Sequence, residues 1–337
     1  MRRILIVVLV IAALLGVAAV LLSAADIPRA TLEAKYATPP SKFVELSYRD
    51  ALPRASGTSD IRVTNPNTTA RAHYRIRGPR NAEVLLLLHG SNASLFTWEP
   101  WSKRLSDRFR VVSVDLPGHG LTGPVANHDY SDSGMVAFVA AFADKIGLQR
   151  FALAGNSMGG DVAARFAETH PDRVSALILV DAAGMPGKMG DRIPLAFQLL
   201  RQPWLQSVLQ RANPKPLVRE GLGKAIVRKS ILTEQMIDLY SDMALLEGER
   251  AATFERFNQD GGDFNFVKDH VRALKMPVLI LWGQEDHLIP VDTAHVWNAA
   301  IPGSRLIVYP ATGHIPMEEV ADKSAADVRL FLAGADR

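Results

Sequence analysis

From residue 84 onward the apolar positions come in short unbroken runs: VLLLLHG (84–90), VVSVDLPG (111–118), FALAGNS (151–157), ALILVDAAG (176–184), VLILWGQED (278–286) and LIVYPATGH (306–314). Each run ends in Gly, Asp, Ser or His. Runs of this length without polar alternation predict parallel strands buried on both faces. Between them, residues 97–107, 132–146, 160–168, 293–300 and 320–333 carry helix-like patterns. The alternation predicts an α/β fold with a mostly parallel, doubly wound sheet and helices on both sides. In such sheets ligands bind beyond the carboxyl ends of the strands, where these runs place their polar residues.

Two regions depart from this rhythm. Residues 185–269 hold helical patches such as LAFQLLRQPWLQSVLQR but no buried-strand run, and predict a helical cap inserted on the ligand side of the sheet. At the other end, Arg2 and Arg3 precede an uncharged stretch, Ile4 to Ala25. At 1.5 Å per residue this spans roughly 33 Å, enough for a hydrocarbon core. It predicts a membrane anchor; the alternative is a cleaved signal peptide ending at Ser23-Ala24-Ala25, but its apolar region exceeds the usual signal length. With the two arginines held inside, the body of the protein faces outward, periplasmic in a two-membrane bacterium. The expected organisation is thus an anchor or signal segment (1–25), a stalk and N-terminal extension (26–69), a core in two parts (70–184 and 270–337), and the cap (185–269) between them.

Composition narrows the function. The 337 residues are 48% hydrophobic and carry a net charge of +3, with scattered Lys and Arg, so no nucleic-acid surface is expected. The absence of cysteine excludes disulfides, thiolate zinc sites and thiol catalysis. Gly118-His119-Gly120-Leu121-Thr122-Gly123 matches a dinucleotide fingerprint, with Asp144 at the expected distance, yet Pro124 and a polar loop follow where a phosphate-binding helix should start. No Walker loop or His-Glu-x-x-His helix is present, so neither cofactor nor metal is implied. Asn67-Thr68-Thr69 and Asn92-Ala93-Ser94 fit the glycosylation pattern, one that arises readily by chance.

The chemistry concentrates in Gly155-Asn156-Ser157-Met158-Gly159. Placed between a strand and a helix, this is the context of a nucleophile elbow, although a serine there is also a helix N-cap. A serine nucleophile needs a histidine base and a carboxylate to orient it. His314 follows the last strand run and Asp286 the one before, in the order Ser, Asp, His. Asp181, ending LILVDAAG, is the alternative acid. His89 and His119 sit in glycine-flanked turns, and the remaining histidines (73, 128, 170, 270, 287 and 295) lack a strand-end context.

Together with His89-Gly90-Ser91-Asn92, Asp115-Leu116-Pro117-Gly118-His119-Gly120, Trp282-Gly283-Gln284-Glu285-Asp286 and Gly313-His314, these motifs make the chain resemble the α/β-hydrolase superfamily over about residues 70–335. Within it the chain looks most like small-molecule esterases, lipases and hydrolases of carbon–carbon bonds. The resemblance implies an oxyanion hole from the backbone N–H groups of Met158 and Ser91, with Asn92 a less favoured donor. It also implies a serine hydrolase acting on carboxylic esters or related small acyl substrates through an acyl-enzyme. A carbon–carbon bond hydrolase, an acyltransferase and a catalytically silent binding member of the same fold are the alternatives. Asn92, and Phe197 and Trp204 of the cap, are candidates for substrate binding. Oligomeric state is not legible.

Overall fold

The computed structural model describes residues 23–48, 68–186, 194–200, 202–259 and 270–335. All six apolar runs form strands: β3 (Val84–Leu88), β4 (Arg110–Val114), β5 (Phe151–Asn156), β6 (Val174–Val180), β7 (Val278–Gly283) and β8 (Arg305–Tyr309). With β1 (Ser41–Tyr48) and β2 (Thr68–Arg77) they make one eight-stranded sheet in the order β1-β2-β4-β3-β5-β6-β7-β8. β2 is antiparallel to both of its neighbours, and the pairings from β4 through β8 are parallel.

Successive side chains of a strand point to opposite faces, so an unbroken apolar run feeds two cores at once. Leu86 and Leu88 enter a core with Phe138, Phe142, Phe166 and Trp297, while Leu85 and Leu87 enter another with Trp98, Trp101, Val328 and Leu332. The first face is covered by α3 (Asp132–Lys145), α4 (Met158–Thr169) and α10 (Asp292–Ala300). The second is covered by α2 (Glu99–Leu105) and α12 (Ala321–Ala335), with the short α11 (Pro316–Glu319) leading into α12. At ~25 cal/mol per Å² of apolar surface removed from water, burial of these aliphatic and aromatic side chains stabilises both layers.

Between β6 and β7 the described residues form five helices: α5 (Leu195–Leu200), α6 (Gln206–Leu209), α7 (Lys215–Ala225), α8 (Glu234–Ala244) and α9 (Glu249–Gln259). Thr233 caps α8, its side chain accepting the Met236 N–H.

The N-terminal region differs from a stalk. Residues 29–36 form α1, and Ser41–Tyr48 is an edge strand. Leu32 packs with Leu121, Met243 and Leu246, and Lys35 and Tyr36 both reach Asp242 at 2.7 Å, fastening the segment to the inserted helices. Residues 1–22, which hold most of the expected anchor, lie outside the described residues. Among the described residues no helix is long and apolar enough to cross a membrane. Ser23, at the expected cleavage site, pairs with Ala212, and the Ala24 N–H bonds Arg211 O at 2.9 Å.

Candidate active site

Ser157 stands between β5 and α4 with φ 52° and ψ −121°, a conformation that non-glycine residues rarely adopt. The turn closes tightly because Gly155 and Gly159, two residues to either side, carry no side chain. A Cβ on Gly155 would collide with Gly159 O, and one on Gly159 with the carbonyls of Leu88 and His89. The Ser157 N–H donates to Val180 O at 3.1 Å, and Ser157 O accepts from Gly160 at 2.9 Å and from Ala183 at 3.0 Å. Its side chain makes no N-cap bond to α4, so the capping role that the sequence left open is not the one the hydroxyl takes.

His314 lies in the loop after β8. Its Nδ1 is 2.6 Å from Asp286 Oδ2, and Asp286 Oδ1 accepts the N–H groups of Leu288 at 2.8 Å and Ile289 at 3.0 Å. Three donors converge on a carboxylate that is itself buried. With Nδ1–H donating to Asp286, His314 Nε2 is the basic nitrogen. The His314 N–H bonds Ala225 O at the end of α7, and Asn156 Nδ2 holds His314 O at 3.1 Å. Glu319 accepts from Gly313, Val227 and Arg228, binding the histidine loop to the inserted helices.

Ser157 and His314 both line a cavity of about 480 Å³, together with Met158, Ser91 and Asn92. Its far wall belongs to the inserted helices, through Phe197, Leu200, Val218, Leu222 and Phe254 among others. Trp204, in the 3₁₀ turn Pro203–Leu205, is 75% exposed and is not among the residues that line the cavity. Asp181 is fully buried beside Asp286, with Oδ1 accepting the Gly283 N–H at 2.9 Å. One atom from each of Asp181, Asp286 and His314 lies within 4.8 Å of the others, so among the described residues this trio could hold a metal ion. A metal there would have to break the Nδ1 to Asp286 hydrogen bond.

A second Ser-His-Asp relay occurs elsewhere. His73 Nδ1 lies 2.7 Å from Asp115 Oδ2 and its Nε2 is 2.9 Å from Ser41 Oγ. Ser41 also accepts Arg75 Nε–H at 2.9 Å, and neither Ser41 nor His73 lines the cavity. This relay joins edge strand β1 to the sheet. His89 and His119 also hold loops together, His119 from the cavity wall. Nδ1 of each donates to a nearby carbonyl, while Nε2 of His89 accepts Leu116 N–H and that of His119 faces Arg256, and burial holds both imidazoles below their ordinary pKa.

Arg256 of α9 had no sequence signal. Buried, it donates to Asn92 Oδ1 at 2.7 Å and to Gly118 O, linking α9 to the loops after β3 and β4. The glycines at 118, 120 and 123 take positive φ in a closed turn in which the Gly118 N–H meets Gly123 O, unlike the open start of a phosphate-binding helix. Asn92 Oδ1, occupied by Arg256, puts this glycosylation pattern on the cavity wall, and Asn67 lies outside the described residues.

The alpha/beta hydrolase fold family model matches residues 83–320, from the start of β3 to the end of α11. The chain belongs to this family. A 2-hydroxy-6-oxononadienedioate/2-hydroxy-6-oxononatrienedioate hydrolase of a Pseudomonas species is 27% identical over 288 residues, 84% of this chain and 99% of that protein. A monoacylglycerol lipase of Xenopus laevis is 28% identical over 274 residues, 77% of this chain and 78% of the relative. Among solved structures, a bacterial membrane phospholipase A, described as a virulence factor, aligns over 100% of both chains at 25% identity and a TM-score of 0.67. A meta-cleavage product hydrolase from Pseudomonas fluorescens, 21% identical, covers 79% of this chain and 95% of its own with a TM-score of 0.68, a likeness of fold. The protein is an α/β-hydrolase enzyme.

Proposed function

We propose that this hydrolase cleaves carboxylic esters with an apolar acyl group through a covalent acyl-enzyme. Ser157 Oγ attacks the acyl carbonyl carbon while its proton passes to His314 Nε2, and Asp286 stabilises the imidazolium. The carbonyl oxygen, now an oxyanion, accepts hydrogen bonds from the backbone N–H groups of Met158 and Ser91. Collapse breaks the C–O bond, and His314 returns the proton to the leaving alcohol. Water then repeats the attack, giving its proton to His314, and Ser157 leaves the acid product with that proton restored. The observation that carries this reading is the meeting of Ser157 and the His314–Asp286 pair at one cavity.

The character of the wall supports a neutral substrate. Arg250 is the one Lys or Arg among the described lining residues, and it is engaged by Asp26 and the carbonyls of Ala24 and Ala212. Asp132, Asp161 and Glu249 also line the cavity, so the wall offers a dicarboxylate little compensation for its desolvation. The second reading, a carbon–carbon bond hydrolase, is favoured by the similarity to the dienedioate hydrolase, which covers 84% of this chain and 99% of that protein. Turnover of an acyl-chain series of chromogenic esters, beside a 2-hydroxy-6-oxo dienoate, by the wild type and Ser157→Ala separates the two. Ester turnover abolished by the substitution supports the proposal; turnover confined to the dienoate selects the second reading.

For location, we infer from the sequence that the apolar segment anchors the chain with its catalytic body on the outer or periplasmic face, or is removed to release a secreted enzyme. A helix of residues 4–22 would be about 28 Å long, within reach of a hydrocarbon core. Protease added to intact spheroplasts should degrade the body; protection until lysis would place it on the cytoplasmic side.

A further inference from the structure

Asp181 has no part in the reaction sequence above, yet its placement is demanding. It holds φ 44°, its N–H is fixed to Leu281 O at 3.0 Å, and its side chain is fully buried. Oδ1 accepts the Gly283 N–H, whereas Oδ2 has no hydrogen-bond partner among the described residues. An oxygen left so at full burial is costly. The nearest resolution lies across from it, since Asp181, Asp286 and His314 each bring an atom within 4.8 Å of the other two.

Two buried carboxyl groups at this range do not both ionise. Which one keeps the proton follows from the donors each receives. Asp286 accepts three, from Leu288, Ile289 and His314, and Asp181 accepts one, from Gly283. The negative charge therefore stays on Asp286. We propose that Asp181 is a positioning residue, a neutral carboxylic acid whose Oδ2–H donates to the Asp286 carboxylate and holds it against His314. The proposal rests on the relay reading of Asp286 and His314 given above. It satisfies the orphaned oxygen and places a single negative charge beside the imidazole. The other titratable groups facing Asp181 are Glu319 on α11 and Tyr309 on β8. Burial first, and the Asp286 charge second, keep the Asp181 carboxyl well above its ordinary range.

An asparagine at this position is a close mimic of the neutral acid, its Oδ1 accepting from Gly283 and its Nδ2–H donating to Asp286. A carboxyl protonated in the folded state but ionised in the unfolded chain makes stability fall as pH rises above the ordinary value of 3.8. Asparagine carries no such dependence. The test measures kcat at pH 7 and thermal unfolding midpoints from pH 5 to 9 for the full-length wild type, Asp181→Asn and Asp181→Ala. Asp181→Asn should keep kcat within about threefold, whereas Asp181→Ala, which leaves Asp286 without this donor, should lose about tenfold. The midpoint of Asp181→Asn should gain on that of the wild type as pH rises from 5. A fall in Asp181→Asn as deep as that of Asp286→Asn, or a midpoint difference that does not change with pH, would overturn the proposal. The midpoints do not depend on turnover, so they stand even if Ser157→Ala shows the acyl-enzyme reading to be wrong.

Discussion

Arg256 donates from Nη2 to Asn92 Oδ1 across 2.7 Å, so that one buried side chain of α9 fixes the loop next to Ser91. Asn92 itself takes φ 56°, and Arg256 Nη1 meanwhile engages His119 and Gly118 O. A donor aimed at a developing oxyanion is useful only if it is aligned before the charge appears. Arg256→Met should therefore lower kcat by about tenfold to hundredfold while KM changes less, since misplacement by a fraction of an ångström is felt in the transition state. Arg256→Lys should not restore it, because an ammonium cannot fork to both loops. Steady-state kinetics on one ester checks this; a rise in KM alone would assign Arg256 to substrate binding.

The two serine relays allow an internal comparison. Ser41 has a histidine and an aspartate in line but is held by Arg75 away from the cavity, whereas Ser157 borders the cavity. A fluorophosphonate probe should label Ser157 and leave Ser41 unmodified, and Ser157→Ala should reduce kcat by roughly 10⁶. Peptide mapping of the labelled protein decides, with adduct at Ser41 counting against the assignment.

Asp286→Asn replaces the acceptor of His314 Nδ1–H by a group able to present N–H₂ to the ring. The imidazole then favours the tautomer in which Nε2 carries the proton and cannot act as a base. A loss of about 10⁴ in kcat is expected with binding largely retained. Retention of more than a tenth of the activity would show that another carboxyl serves His314.

Glu249 provides a pH signature. It is buried on the cavity wall 3.5 Å from Arg256, and burial raises its carboxyl from 4.5 to about 8 against the opposing pull of that arginine. Between those values the folded chain keeps a proton that the unfolded chain has lost, so stability falls as pH rises from 4.5 to 8 and levels off above. Glu249→Gln lacks this loss. Its stability relative to wild type should be lowest at pH 4 and rise by on the order of a few kcal/mol by pH 8. Thermal or urea unfolding at the two pH values measures it, and a constant difference would refute the raised carboxyl.

What could be read in advance follows from how each element is stabilised. β3 to β7 announce themselves because nearly every position is apolar and buried on both faces, and edge strand β8 because its LIVY run is apolar although it is only half-buried. β1 and β2 do not, because SKFVELSY and TTARAHYRIR interleave charge with apolar positions, and His73 and Arg75 are buried through Asp115 and Glu99 instead of through hydrophobicity. For the same reason the helix around Leu32 looked like a stalk, its partners Met243 and Leu246 lying more than two hundred residues away. At the candidate site, Ser157, Asp286 and His314 are marked by strand ends and chain order. Arg256 and Glu319 are not, since their partners are backbone groups and side chains brought close only by folding.

The cap candidates Phe197 and Trp204 now separate. Phe197 lines the cavity and packs on Phe257 with ring centroids 5.2 Å apart, while Trp204 is 75% exposed and outside it. If the wall of α5, α7 and α9 accommodates the acyl chain, shortening Phe197 enlarges the space at that wall without touching Ser157 or His314. Each methylene of ester chain accommodated in an apolar pocket is worth on the order of 1 kcal/mol, so Phe197→Ala should shift the kcat/KM ratio of long to short esters by about tenfold. The shift should favour longer chains, because the vacated volume admits atoms that the ring excluded. Trp204→Ala should leave the ratio unchanged. Both variants measured on an acetate-to-decanoate series give the answer: an unmoved ratio in Phe197→Ala would make that ring a packing residue, and a moved ratio in Trp204→Ala would bring the exposed indole into contact with substrate.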